Sequence, residues 1–384
     1  DFVGNTCTGI NVILCLDRLG KRQDPRFQPA IDAILGYSVT KQDQVRVQCC
    51  QSHIWDTGFV LSGLDAVKDE GSQEPILKGA KWLLSQQITD VAGAWAKNVS
   101  AKPGGWCFGD RHKHFPVTDC TAIALIGLDK HLSNFHNSEA GSLGVNWLCK
   151  MQHESGGWSA YEKFQDSLPL KTLNRLLKFK DISDGLVDRP KADVTAKVVE
   201  ALARWRTDNS EVVSVLNKAR SFLLKTRNSL GLWRGNYGIN YLYGTAFSAR
   251  ALREIDQAPN PEWASPIRHF LLSKQNPDGG WGEVEASYRD ESLIGVGPSS
   301  PIQTSWSLMA LCACYMGTAN ELAAIKKAVE YLQAIQNSDG SWSENHFLGT
   351  VFPNMVYFRY EYYPIYFPLL ALEACQIVLS NQSN

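Results

Sequence analysis

The chain has 384 residues, with 38 Lys and Arg against 39 Asp and Glu, so its net charge is -1. That balance excludes a protein held to nucleic acid by bulk charge, and a 44% hydrophobic share with only 20% charged residues excludes disorder. The length allows two ordinary domains or one large domain of repeated units, and no uninterrupted apolar run approaches a bilayer span.

The N-terminal stretch DFVGNTCTGI lacks an initiator Met and the charged-then-apolar pattern of a signal segment, which suits a start inside a longer chain. The 10 cysteines form no C-x-x-C pair, and Cys49 and Cys50 are adjacent. In a chain this long they read as reduced, buried thiols of a cytoplasmic protein, without structural zinc. The totals of 12 Trp, 13 Tyr and 15 Phe call for an organising reason.

Two N-terminal stretches, GINVILCLDRLG and DPRFQPAIDAILGY, come first in chain order and read as helices. Then two phrases alternate. One is an amphipathic helix ending in a Gly-rich turn with Trp: KGAKWLLSQQ…AGAW to Trp95, VNWLCKMQHESGGW to Trp158 and KARSFLLKTRNSLGLW to Trp233. RHFLLSKQNPDGGW to Trp281 and KKAVEYLQAIQNSDGSW to Trp342 repeat it. The other is a nearly all-apolar helix with Thr followed seven residues later by Leu: Thr57/Leu64, Thr121/Leu128, Thr195/Leu202, Thr245/Leu252 and Thr304/Leu311. YYPIYFPLLAL adds Ile365/Leu372 in the same register.

A helix apolar all round is buried on every side, while one with a single charged face lies outside. Six inner and six outer helices in alternation describe an all-α (α/α)6 toroid, here one domain over 1–384. The sixth outer helix is expected from one of the N-terminal stretches. If the inner helices run parallel, their N-termini converge on one electropositive end of an apolar hole. The residue two before each Thr then forms a ring of Trp55, Asp119, Asp193, Tyr243, Ile302 and Tyr363. Asp56 and Asp193 read as caps of their own helices.

At these residues the chain resembles the class II cyclases of the squalene–hopene and oxidosqualene type. The resemblance runs from about Cys49 to the C-terminus through WDTGF, KPGGWCFGD, FPVTDCTA, VDRPKADVTA, WRGNYGINYLYGTA, QNPDGGWGE, QTSWSLMAL and YFPLLAL. It implies that Asp119, in VTDCTA, is the proton donor, with Cys120, Tyr243 and Lys197 as further catalytic residues. Lys197 stands where hopene-type enzymes carry a cationic His, and it also reads as a snorkelling side chain with no catalytic role. Val194 replaces a second Cys of the oxidosqualene type. The flanks of Asp119 follow the oxidosqualene pattern, whereas Lys197 pulls toward the hopene pattern, so alkene and epoxide initiation both stay open.

The resemblance further implies cation-stabilising walls at Trp55, Phe108, Tyr237, Phe352, Tyr360 and Tyr363. The Trp residues of the repeat turns become structural staples. The implied substrate is a hydrophobic polyprenyl chain, taken up with no metal, no cofactor and at most a peripheral membrane contact. The single-domain members of this group act on prenylated aromatic acids, which implies a farnesyl- or geranylgeranyl-substituted dihydroxybenzoate entering the barrel tail first. The alternatives are the acid-bearing half of a two-domain triterpene cyclase and a non-enzymatic binding toroid. The Asp-x-Cys zinc triplet of prenyltransferases, the D-D-x-x-D of metal-dependent terpene synthases and the G-C-G-E-Q thioester are all absent from the sequence, while an inverting glycosidase using Asp119 and Asp193 stays open. The stretch KFKDISDGLVDRP differs from the family's gating segment.

Overall fold

The computed structural model describes residues 6–41, 44–64, 70–109, 112–163, 188–207 and 209–380. The stretch 178–187, which covers most of the segment read as a divergent gate, lies outside the described residues.

The apolar helices form the inner ring: α3 (His53–Gly63), α5 (Thr118–His131), α7 (Ala192–Leu202), α9 (Tyr241–Asp256), α11 (Pro301–Ala313) and α13 (Tyr363–Ser380). Each packs on the next, and α13 returns to α3, closing the circle. By length and composition α13 could cross a membrane, but here it is the closing stave of the ring. Outside lie α4 (Gln73–Ser85), α6 (Glu139–Met151), α8 (Ser210–Lys225), α10 (Pro261–Lys274) and α12 (Ala319–Ala334); α6 packs on α5 and α8, and each of the others touches two inner neighbours. Their starts are set locally: Ser138, Asn209 and Asn260 accept first-turn N–H groups, and Thr318 with Glu321 forms a capping box.

The N-terminal helices α1 (Thr6–Arg18) and α2 (Phe27–Gly36) do not supply the expected sixth outer helix. They pack chiefly on each other, and Leu16 and Ala30, buried within the pair, stand outside the central core. Ile10, Leu14 and Leu35 of the pair stay exposed and are not packed on the ring. Three short antiparallel hairpins complete the described structure: β1–β2 (Ser38–Lys41, Gln44–Val47), β3–β4 (Trp106–Cys107, Pro116–Val117) and β5–β6 (Gly349–Phe352, Val356–Phe358).

The two repeated phrases are bonded to one another. The indole N–H of Trp158, Trp233, Trp281 and Trp342 donates to the carbonyl of Leu148, Leu223, Leu271 and Leu332, each on the preceding outer helix. The backbone N–H of Trp158, Trp233 and Trp281 donates to Thr195, Thr245 and Thr304 at 3.0–3.2 Å. The turns at Trp158, Trp233 and Trp281 therefore tie an outer helix to the inner helix that follows, with both tryptophan donors satisfied. In the first repeat the tie is made by Trp106, through Leu83 and Thr121, and not by Trp95 as the sequence suggested. Trp95 instead packs edge-on against Trp147 at 5.8 Å.

Candidate active site

Asp119 sits in the first turn of α5, and that turn is held from both sides. Pairing of Val117 with Trp106 keeps the residue before the helix extended. Thr118 donates through its N–H to Ala160 and through its hydroxyl to Ser159, while Thr121 donates to Val117. The carboxyl is thus fixed and 3% exposed. Burial pushes its pKa up to about 6; Lys197 pulls it down, Asp193 raises it, and Lys191 and Asp188 add smaller opposing contributions.

Lys197 Nζ lies 3.8 Å from Asp119 Oδ2 and donates to the Asp193 carbonyl at 3.2 Å. Its ammonium faces the rings of Phe247, Tyr243 and Trp55, with centroids at 4.6, 5.1 and 5.4 Å. The side chain is wholly buried, so the snorkelling alternative does not hold. A fully desolvated ammonium needs such partners, and the aromatic faces supply them without taking its protons.

Neither Asp56 nor Asp193 caps its helix. Ser52 caps α3 by accepting from Trp55 N–H. Asp56 accepts instead from the Tyr360 hydroxyl at 3.0 Å. Asp193 reaches across to the next loop, where it accepts from the Asn236 N–H at 3.0 Å, its side-chain amide at 3.1 Å and the Tyr237 N–H at 3.3 Å. A first-turn carboxylate is equally close to a neighbouring loop, and here the loop's donors win.

The expected mouth ring is largely assembled. Trp55, Tyr243 and Asp119 surround Lys197, and Tyr363 meets Tyr360 at a tilt with ring centroids 4.8 Å apart, while its hydroxyl donates to the Tyr237 carbonyl at 3.4 Å. Three expected residues fall differently. Phe108 is only half-buried at the edge of the core. Phe352, on β5, is 40% exposed. Cys120 is buried and its thiol is pushed well up by burial, but among the described residues no hydrogen bond joins it to Asp119.

One turn below the ring, beside Lys197, lies a second layer that the sequence alone did not single out: Phe59, Ile123, Phe247, Trp306 and Phe367, all buried. Phe59 and Phe367 meet at 5.4 Å, Trp306 and Phe367 at 5.3 Å, and Phe247 stands 6.3 Å from both Phe59 and Phe367. These rings come from four inner helices, so they cross the axis and plug it. The hole expected to receive a prenyl tail is filled there, which leaves the mouth as the working surface. The signal was available, because each member stands four residues after a ring position and hence on the same helix face.

The model of the squalene-hopene cyclase C-terminal domain matches residues 51–376. The chain belongs to that family. Among its relatives, a squalene–hopene cyclase of Bradyrhizobium diazoefficiens is 33% identical over 376 residues, covering 94% of this chain and 54% of that protein. Another, from Alicyclobacillus acidocaldarius, is 35% identical over 328 residues, covering 85% of this chain and 50% of its own length. The chain therefore spans about half the length of these relatives. In fold it is similar to the type II terpene cyclase MstE from Scytonema, with a TM-score of 0.58, 18% identity and coverage of 89% of this chain and 92% of that one. MstE has also been solved as a variant with geranylgeranyl dihydroxybenzoate bound as substrate.

Proposed function

We propose that this member of the squalene–hopene cyclase family is a protonation-initiated, class II terpene cyclase. The observation that carries the reading is the Asp119–Lys197 arrangement: a buried carboxyl, held near neutrality by desolvation, beside a caged ammonium at the end of converging helices. A neutral carboxylic acid in a water-poor site can pass its proton to the terminal isoprene of a polyprenyl chain. Lys197 then stabilises the carboxylate left behind. The cation moves along the chain as each ring closes and leaves as a proton at the end, so the product is an isomer of the substrate. Trp55, Tyr237, Tyr360 and Tyr363 supply wall faces that attract a cation without trapping it.

The proposed substrate is a farnesyl- or geranylgeranyl-substituted dihydroxybenzoate, supported by the substrate named for MstE. Because the axis is plugged, the chain would lie across the mouth with its terminal isoprene at Asp119. The second reading is the acid-bearing half of a triterpene cyclase, favoured by coverage of only about half of the relatives' length. Incubation in EDTA with the two prenylated dihydroxybenzoates, squalene and oxidosqualene separates them. An isomeric polycycle from a dihydroxybenzoate supports the first reading, and turnover of the triterpenes alone supports the second. A product of different mass, or turnover lost in EDTA, overturns the class II mechanism.

A further inference from the structure

Three cysteines meet where α1 joins the wall of the ring. The Thr6 N–H and hydroxyl both donate to the Cys49 carbonyl, at 2.8 and 3.0 Å, which lays the first turn of α1 against the segment leading into α3. Cys7 follows in that turn, and its thiol hydrogen-bonds with that of Cys49, which also hydrogen-bonds with the thiol of Cys50. The three differ in access: Cys7 is exposed, Cys49 is half-buried and Cys50 is buried. They differ in acidity as well. The Cys50 and Cys7 hydrogen bonds bring Cys49 down to about 7, while Cys50 is held well above the usual thiol range by its bond to Cys49 and by burial.

We propose that Cys49 is an oxidant-sensitive modification site that reacts with peroxides and closes a disulfide to Cys7. The Cys49 thiolate attacks a peroxide oxygen, an S–O bond forms, the O–O bond breaks, and hydroxide leaves to be protonated to water. Cys7 sulfur then attacks Cys49 sulfur, an S–S bond forms, the S–O bond breaks, and a second water leaves. The two thiols lose two protons and two electrons, which reduce the peroxide. Cys50 is the poorer resolving partner, because it is buried and a bond to its chain neighbour closes a strained small ring. The disulfide pins α1 to the wall that carries Ser52, Trp55 and Asp56.

Two other places provide internal controls. Cys15 is exposed but lies outside the cluster, and Cys312 and Cys375 lie 3.6 Å apart, the first half-buried and the second buried, with the Cys312 thiol held well up by its bond to Cys375 and by burial. The test treats the full chain with one equivalent of hydrogen peroxide, blocks remaining thiols and maps the peptides by mass. The first product should be the Cys7–Cys49 disulfide, reversible by dithiothreitol. Trypsin cleavage after Arg18 should then leave the N-terminal fragment attached until reduction. Cys7→Ser, at an exposed position, should free that fragment and leave a dimedone-trappable sulfenic acid on Cys49, labelled several-fold faster than Cys15. First oxidation at Cys15 or at the Cys312–Cys375 pair, or no adduct on Cys49 in the Cys7→Ser chain, overturns the proposal.

Discussion

The aromatic residues fall into two populations that look alike in composition and differ in bonding. Those of the repeat turns, Trp106, Trp158, Trp233, Trp281 and Trp342, have their indole N–H on a backbone carbonyl of an outer helix. Those of the mouth and axis mostly pair with one another, and the Tyr243 hydroxyl and Trp306 indole N–H are buried with no hydrogen-bond partner among the described residues. A fully satisfied aromatic fixes the fold. An aromatic whose polar atom lies idle costs stability where it stands, and such a cost is commonly met at sites serving chemistry. The contrast singles out Tyr243 and Trp306 within the mouth and axis, where Trp55, Tyr360 and Tyr363 have bonded polar atoms; idle indole N–H groups also occur at Trp95 and Trp147 in the outer layer.

The largest expected effect tests the mouth. Asp119→Asn keeps the shape of the side chain but removes the transferable proton. Turnover of a prenylated dihydroxybenzoate should fall by about a thousandfold or more. Removing a carboxylate that burial disfavours and leaving Lys197 without its counter-charge act oppositely on stability, so the melting temperature should move by less than about 5 °C. Unchanged turnover would remove Asp119 from the mechanism.

The next effect tests the staples. Trp281→Ala empties a fully buried site and breaks the tie between α10 and α11. Denaturant unfolding should show a loss of about 3–5 kcal/mol, with kcat per folded molecule unchanged. A selective loss of kcat in chain that is still fully folded would erase the distinction between the two populations.

A third test concerns pH. Asp119 has its folded pKa raised to about 6 from the ordinary 3.8. The folded state therefore holds its proton longer than the unfolded chain, and this group's penalty on stability develops as pH rises from about 4 to 6. Activity that needs the protonated form should fall about tenfold per unit above pH 6. Lys197→Met removes the cation that pulls this pKa down. Its descending limb should move to higher pH by about one unit or more, with a lower maximal rate because the weakened acid loses its stabilised conjugate base. A profile that stays in place, or moves to lower pH, would show that the ammonium does not act on Asp119.

Much of this arrangement was legible in the sequence. The Thr register gave the inner helices, their order and the ring position of Asp119, because buried helices must repeat one spacing to meet on a common axis. The same register carried the plug layer, since Phe59, Phe247, Trp306 and Phe367 stand four residues beyond ring positions. What the sequence could not separate was a cap from a cross-loop acceptor at Asp56 and Asp193: both need only a carboxylate in the first turn, and the partners, Tyr360 and Asn236, are distant in the chain. The AGAW phrase points to Trp95 because a Gly-containing turn follows the helix there. The tighter Gly104-Gly105-Trp106 repeats the Gly-Gly-Trp of 156–158 and 279–281, and that was the better signal.

The smallest expected effect is the finest test of the two populations. Tyr243 is wholly buried, its ring stacks edge-on with Trp306 and Phe247 at 4.9 Å, and it faces the Lys197 ammonium at 5.1 Å. Tyr243→Phe keeps the ring, its packing and its attraction for a cation, and removes only a hydroxyl that has no partner. An unsatisfied buried hydroxyl costs about 1–3 kcal/mol, so the variant should be more stable, by about 1 kcal/mol once a small void is allowed for. Had this Tyr been a staple with a bonded hydroxyl, the same change would lower stability by a similar amount. Activity then decides what the idle hydroxyl is for. If it meets the substrate or the ionised Asp119 during turnover, kcat should fall several-fold to tenfold while stability rises, an opposition that a purely structural residue cannot produce. Stability and kcat falling together would return the Tyr243 hydroxyl to the structural group.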